Sequence, residues 1–443
     1  MRIAWVTPLS QRSAIGRVSA AACRMLAEQG HDLTIVRSEH RQSASESAHE
    51  TSLPVHWWHD TEPEELARTS DAIVLNIGDN FGFHAGIFRY LPAEPCLGIF
   101  HDFFLYSLFN DWLAQQPNAD QLHNWIIRTH YGDGVSDLAE NARRGEVSLA
   151  KIADKFPMTE WIGAQCGAAI VHAEFYRRRV EVVPGPVRTL KLSQEPRNVD
   201  PLPPRADDGE VVILTVGVIN PNKRADLILE AIGSSSRLRS RCRYCLVGII
   251  AESQREHLTN LAARIGFERL DILGEVADKT LERELERADI ICCLRNPVLE
   301  GASASAIEAM MCGRPVVVSD AGFYRELPND CVVKVPLDVG VGQLASVLET
   351  LVDSEPRRRQ IGDHARHWAR KAFTTRGYVA ELTACLDEFV QCKPYLHVAR
   401  SLGSELALLD LEPSDPAIGH VADCMHQLFL EDVQVATEGL DDK

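Results

Sequence analysis

The stretch Leu294–Val318, LRNPVLEGASASAIEAMMCGRPVVV, decides how the chain is read. Its order is strand end, loop, short helix, tight turn, strand. The apolar run Ile290–Leu294 stops at Arg295-Asn296-Pro297, where proline breaks regular structure. Small residues fill Gly301–Ala306, and Ala306–Met311 reads as helix. Gly313 stands where a helix-ending glycine belongs, and Pro315 behind it prevents continuation. Val316–Val318 is a β-branched run of the buried-strand type. The loop Gly301–Ser305 has no bulky side chain, so ligand atoms can approach its backbone, and Ser303 or Ser305 can cap the helix. The unpaired first N–H groups of that helix make a seat for phosphate. Glu300 lies before the helix and Glu308 inside it. A diphosphate-linked sugar suits this layout: sugar near Glu300, phosphates at the helix tip, ribose diol near Glu308. A carboxylate accepts two hydroxyl hydrogen bonds, and its charge strengthens them.

Glu300, seven residues, Glu308, then Ala309-Met310, Cys312-Gly313, Pro315–Asp320 and Gly322 resemble the donor-site signature of retaining glycosyltransferases of family 4, which have the GT-B fold. The resemblance implies an α/β chain with two Rossmann-like domains facing across a cleft. It also implies that Glu300 contacts the donor sugar and Glu308 the ribose, with Gly301, Ala302 and Ser303 beside the donor. The family commonly has an aromatic and a glycine where Ala302 and Ser303 stand, a departure that bears on donor identity.

Working back to the N-terminus, Ile3–Thr7 is an apolar strand, Pro8–Ser13 a polar loop, and Gly16 opens an amphipathic helix. Leu33–Val36 is the second strand of this β-loop-α-β unit. Its loop lies at the strand ends, where α/β proteins bind ligands. By resemblance, Gly16 lets the backbone approach the donor phosphate. Asn80 and His84, after the strand Ala72–Leu75, are acceptor-side candidates. His101-Asp102 follows the strand Cys96–Phe100 and resembles the family's His-Asp pair. Such a His can bond a sugar hydroxyl, and Asp102 can orient it or receive an acceptor proton. His172, after Ala168–Val171, joins the acceptor-side set.

A proline- and charge-rich stretch, Leu192–Glu210, reads as a linker. Val211–Val216 starts a second α/β unit, followed by Asn220-Pro221-Asn222-Lys223-Arg224. The family places an arginine and a lysine of this loop on the donor diphosphate. Lys223 matches the lysine, but Val218 stands at the arginine position, so that contact is either missing or transferred to Arg224, with Asn222 beside it. Val276 marks the turn that, by resemblance, holds the nucleotide base through backbone groups. Arg376–Val390 is expected to return to the first domain.

The chain has 443 residues, enough for two full cores. A net charge of −17 argues against nucleic acid as a partner. Twelve scattered cysteines read as reduced thiols, and Cys242-Arg-Tyr-Cys245 as core rather than a zinc site. No apolar run approaches bilayer length. The expected location is cytoplasmic, with peripheral contact at the inner membrane face kept open.

Together these features imply an acceptor-side domain over residues 1–191, a linker over 192–209, a donor domain over 210–372, a returning helix over 373–392 and a tail over 393–443 without assigned role. The implied activity is retaining transfer of a sugar from a nucleotide-sugar to a glycan, lipid-linked or small-molecule acceptor, in surface polysaccharide or glycoconjugate assembly. Glu300, Lys223, His101 and Asp102 are the expected catalytic residues, and no cofactor or metal is expected. A nucleotide-sugar epimerase and an inactive transferase-like binding subunit are the alternatives.

Overall fold

Runs rich in Val, Ile and Leu, too short for helices and, in the central strands, buried on both faces, form two separate all-parallel sheets. The computed structural model describes residues 1–41, 47–200, 209–409 and 415–424. The first sheet contains β1 (Arg2–Thr7), β2 (Asp32–Arg37), β3 (Val55–Trp57), β4 (Ala72–Ile77), β5 (Leu97–Phe100), β6 (Ala168–Val171) and β7 (Val187–Thr189). Their order is β3-β2-β1-β4-β5-β6-β7. The second contains β8 (Val211–Val216), β9 (Cys242–Val247), β10 (Leu270–Gly274), β11 (Ile290–Cys293), β12 (Val316–Ser319) and β13 (Val332–Val335), in the order β10-β9-β8-β11-β12-β13. Strand order reverses beside β1/β4 in one sheet and beside β8/β11 in the other. Loops leaving those strands diverge and open a crevice at the carboxyl ends.

The two crevices meet. Gly301 N–H donates to His101 O at 2.9 Å, and the N–H groups of Phe103 and Phe104 both donate to Leu299 O at 3.0 Å. Asp102 and Glu300 thereby pair as a single antiparallel bridge between the units. Glu326 accepts the N–H groups of Glu174 and Phe175, and Arg12 pairs with Glu275 at 3.1 Å.

Helix Thr375–Ala407 crosses back to the first sheet. Tyr378, Leu382, Leu386, Phe389 and Leu396 bury against β1, β4 and β6. The expected boundary at residue 392 falls inside this helix, because Leu396 continues its buried stripe. The expected linker runs beyond the described residues at 201–208. So does part of the tail, residues 410–414 and 425–443. Cys242 and Cys245 are buried on β9, and all twelve cysteines are free thiols. Among the described residues, no helix is long and apolar enough to cross a membrane.

Candidate active site

Helix Ala304–Met311 is built by local rules. The Ser303 hydroxyl accepts the Ala306 N–H at 3.3 Å and caps its start. At its end, Gly313 takes φ +72° and its N–H donates to Met310 O, while the Arg314 N–H donates to Ala309 O. This is a Schellman turn, which needs a residue without Cβ strain at that place. The capped start faces a cavity of about 450 Å³ between the two sheets.

Its walls bring together Asp102, Lys223, Asn222, Glu300, Ser303 and Glu308, with Ala302 between them. Lys223 is buried, and its ammonium donates to Val216 O. Burial, and secondarily Arg295, push it down to about 7. Asn222 Oδ1 is buried and meets no hydrogen-bond partner among the described residues. Glu300 accepts from the Tyr324 hydroxyl at 2.5 Å and pairs with Arg295 at 2.7 Å. Burial opposes its charge, yet Arg295 and the Tyr324 hydroxyl hold it below the usual carboxylate range. Glu308 is paired with Arg197 at 2.5 Å, and Arg197 also reaches Asp278 at 3.1 Å.

Two further acids shape the floor. Asp102 Oδ2 accepts the Asp79 N–H at 2.9 Å, and Asp79 Oδ1 accepts the N–H groups of Ser107 and Leu108. Asp79 thus caps helix Tyr106–Leu113 from outside its own segment. Burial pushes Asp102 up to about 6, with Glu300 adding to it. Burial also pushes Asp79 up to about 8, with a contribution from Asp102.

Other expected site residues lie elsewhere. His101 does not line the cavity. Its Nε2 bonds Asn76 Oδ1 at 2.9 Å, and its Nδ1 stands 3.3 Å from Nε2 of His172. His172 Nδ1 in turn donates to Leu190 O. His84 is buried with Nδ1 on Asn76 O, and burial drives it and His172 down to about 4. These three are neutral core histidines, because Asn76 inside β4 draws two of them behind the strand ends. Asn80 is the N-cap residue of the short helix Phe81–His84 and makes no side-chain cap bond. Arg224 adopts φ +54° before helix Ala225–Ser234 and does not line the cavity. Val276 lies past β10, which Gly274 ends at φ +72°, and packs on the core. Gly16 is the third residue of helix Ala14–Glu28. A Cβ there would come within 2.6 Å of Pro8 O, so its glycine serves the approach of loop to helix. Gly301 is similarly constrained, because a Cβ would overlap the Tyr176 hydroxyl.

Sequence reasoning missed Arg295, Arg197 and Asp79. Arg295 reads as strand-end punctuation, Arg197 as linker charge, and Asp79 as one of several polar loop residues.

Residues 199–368 match the family model Glycosyl transferases group 1. The structure superposes on that of the Anabaena protein HepE in complex with UDP and glucose with a TM-score of 0.60, covering 87% of this chain and 99% of that one at 13% identity. The fold is GT-B. A D-inositol 3-phosphate glycosyltransferase of Geodermatophilus obscurus is 31% identical over 192 residues, 40% of this chain and 41% of that protein. An MMP alpha-(1->4)-mannosyltransferase of Mycolicibacterium hassiacum is 30% identical over 117 residues, 26% of this chain and 28% of that protein. The chain therefore spans less than half the length of these two curated relatives.

Proposed function

We propose that the protein is a retaining, metal-independent glycosyltransferase that moves a sugar from a nucleotide-sugar to a hydroxylated acceptor. One observation carries this reading: Glu300 and Glu308 flank the Ser303-capped helix start inside one cavity that Lys223 also enters. Glu308 would hold the ribose diol, Glu300 the sugar hydroxyls, and the helix start with Lys223 the diphosphate. The sugar–phosphate C–O bond breaks with its electron pair going to the diphosphate. The acceptor oxygen bonds the anomeric carbon, and its proton passes to a donor phosphate oxygen or to Asp102.

A helix terminus contributes only about 0.3–1 kcal/mol toward an exposed anion and up to ~2 kcal/mol when partly buried. Side-chain cations must supply the rest. Lys223, brought down to about 7 in the free protein, regains its proton fully when a diphosphate arrives beside it.

The test is incubation of the protein with UDP-, GDP- and ADP-sugars and a panel of hydroxylated acceptors, with products read by NMR. Release of nucleoside diphosphate with a glycoside of unchanged anomeric configuration is expected. An inverted glycoside, or an epimerised nucleotide-sugar formed without acceptor, would overturn the reading.

A further inference from the structure

Three arginines line the cavity, Arg17, Arg197 and Arg295, and of these Arg295 is the most deeply buried; the roles above give it no part. Arg295 lies two residues past the end of β11, lines the cavity and is itself buried, with 5% of its surface exposed. Its backbone N–H is fixed by the Ser319 hydroxyl at 2.9 Å. Nε pairs with Glu300 and Nη1 donates to Leu294 O at 2.8 Å. Nη2 makes no hydrogen bond to a described residue.

This is an incomplete use of an arginine. Its five donors suit two-point contact with an anion, and desolvating it is costly unless the pairing is good. Here the single carboxylate partner, Glu300, is shared with the Tyr324 hydroxyl. A group that only balanced Glu300 would not need two spare donors at the cavity wall.

Topology adds a second observation. β8 and β11 are hydrogen-bonded neighbours, and the Asn296 N–H donates to Asn222 O at 2.9 Å, so the loops leaving both strands share one edge. On the β8 side the cavity wall carries Val218, 53% exposed and uncharged. On the β11 side it carries Arg295, close enough to Lys223 to weigh on its proton.

Resting on the nucleotide-sugar reading, we propose that Arg295 grips the donor diphosphate, supplied from β11 where the β8 loop offers no cation at 218, and that Glu300 holds it in place until a donor divides the pair. Donor sugar hydroxyls then take Glu300 while the phosphates take Arg295, so neither buried charge is left alone.

Titration calorimetry of the full chain with UDP, GDP and ADP, each against its parent nucleoside, separates diphosphate from nucleoside contacts. Arg295→Gln should weaken the diphosphate that binds by roughly 10- to 100-fold, the worth of a charge-assisted hydrogen bond, and leave its nucleoside within about twofold. Adding Val218→Arg to Arg295→Gln should restore diphosphate affinity without changing nucleoside affinity. Arg295→Gln/Glu300→Gln removes the orphaned carboxylate and serves if the single variant does not fold; the same selective loss is expected. Equal loss for nucleoside and diphosphate, or unchanged diphosphate affinity in a folded variant, would overturn the role of Arg295 alone. Failure of the unaltered protein to bind any nucleotide would instead overturn the nucleotide-sugar reading beneath it.

Discussion

The Nε of Arg197 lies 2.5 Å from Oε1 of Glu308, across 111 residues of chain. Arg197 belongs to the connection between the two sheets, and Glu308 to the helix that starts at the cavity. The carboxylate proposed to hold ribose is therefore fixed by the interdomain connection.

Both side chains of this pair are only 9% exposed. Breaking a buried pair by removing one partner typically costs ~3–5 kcal/mol, because the other charge is left alone. Arg197→Ala should cost about 3 kcal/mol in urea unfolding, and Arg197→Ala/Glu308→Ala should recover part of that. A double-mutant cycle with additive losses would show that the pair is not coupled.

On the proposed reading, Lys223 should make donor affinity pH-dependent. Its free-protein value is about 7, and a bound diphosphate raises it, so binding above that pH takes up a proton. Nucleoside diphosphate affinity should be level below pH 7 and fall above it, by at most about tenfold per unit. Ionisation of Asp79 near pH 8 adds to the fall. Calorimetry from pH 6.5 to 9 should show a clearly shallower slope for Lys223→Met, and Lys223→Ala should lose most of its turnover. Near-full turnover in Lys223→Ala would remove it from the mechanism.

Asp79 separates charge from capping. Its folded value, about 8, is raised above the usual carboxylate value, so the stability it contributes is complete below that usual value and is lost as pH rises toward 8. Asp79→Asn keeps an oxygen for the Ser107 and Leu108 N–H groups and removes the charge. It should match or exceed the unaltered protein in Tm at pH 8–9. Asp79→Ala loses the cap and should cost ~1–2 kcal/mol at any pH.

Gly301 tests the seam between the sheets. The Tyr176 hydroxyl that a Cβ would overlap is locked, accepting the His172 N–H at 2.9 Å and donating to Phe100 O at 2.8 Å. Gly301→Ala should cost ~1–3 kcal/mol by overpacking and disturb the Gly301–His101 bond. Gly342→Ala, in open space on helix Val341–Val352, should be neutral or stabilising in the same melting experiment.

What could be read in the chain was local. Ser303 as cap, Gly313 as helix end and Val316–Val318 as buried strand follow from neighbours within a few residues, and they placed Glu300 and Glu308 at one cavity. What could not be read was where strand-end side chains turn. His101 and Asp102 are adjacent, yet Asp102 enters the cavity while His101 joins Asn76 in the core. Arg197 and Arg295 find their carboxylates only in the folded chain, and Arg197 does so from a stretch whose prolines mark it as connector.

The most direct test is a thermal-shift measurement of the full chain with UDP, GDP and ADP, repeated on folded Glu308→Ala. A ligand that binds only the folded state adds about 2.7 kcal/mol of stability at one hundred times its Kd. The account predicts a clear upward shift with at least one of the three and its loss in Glu308→Ala. No shift with any of them, or an equal shift in Glu308→Ala, would contradict it.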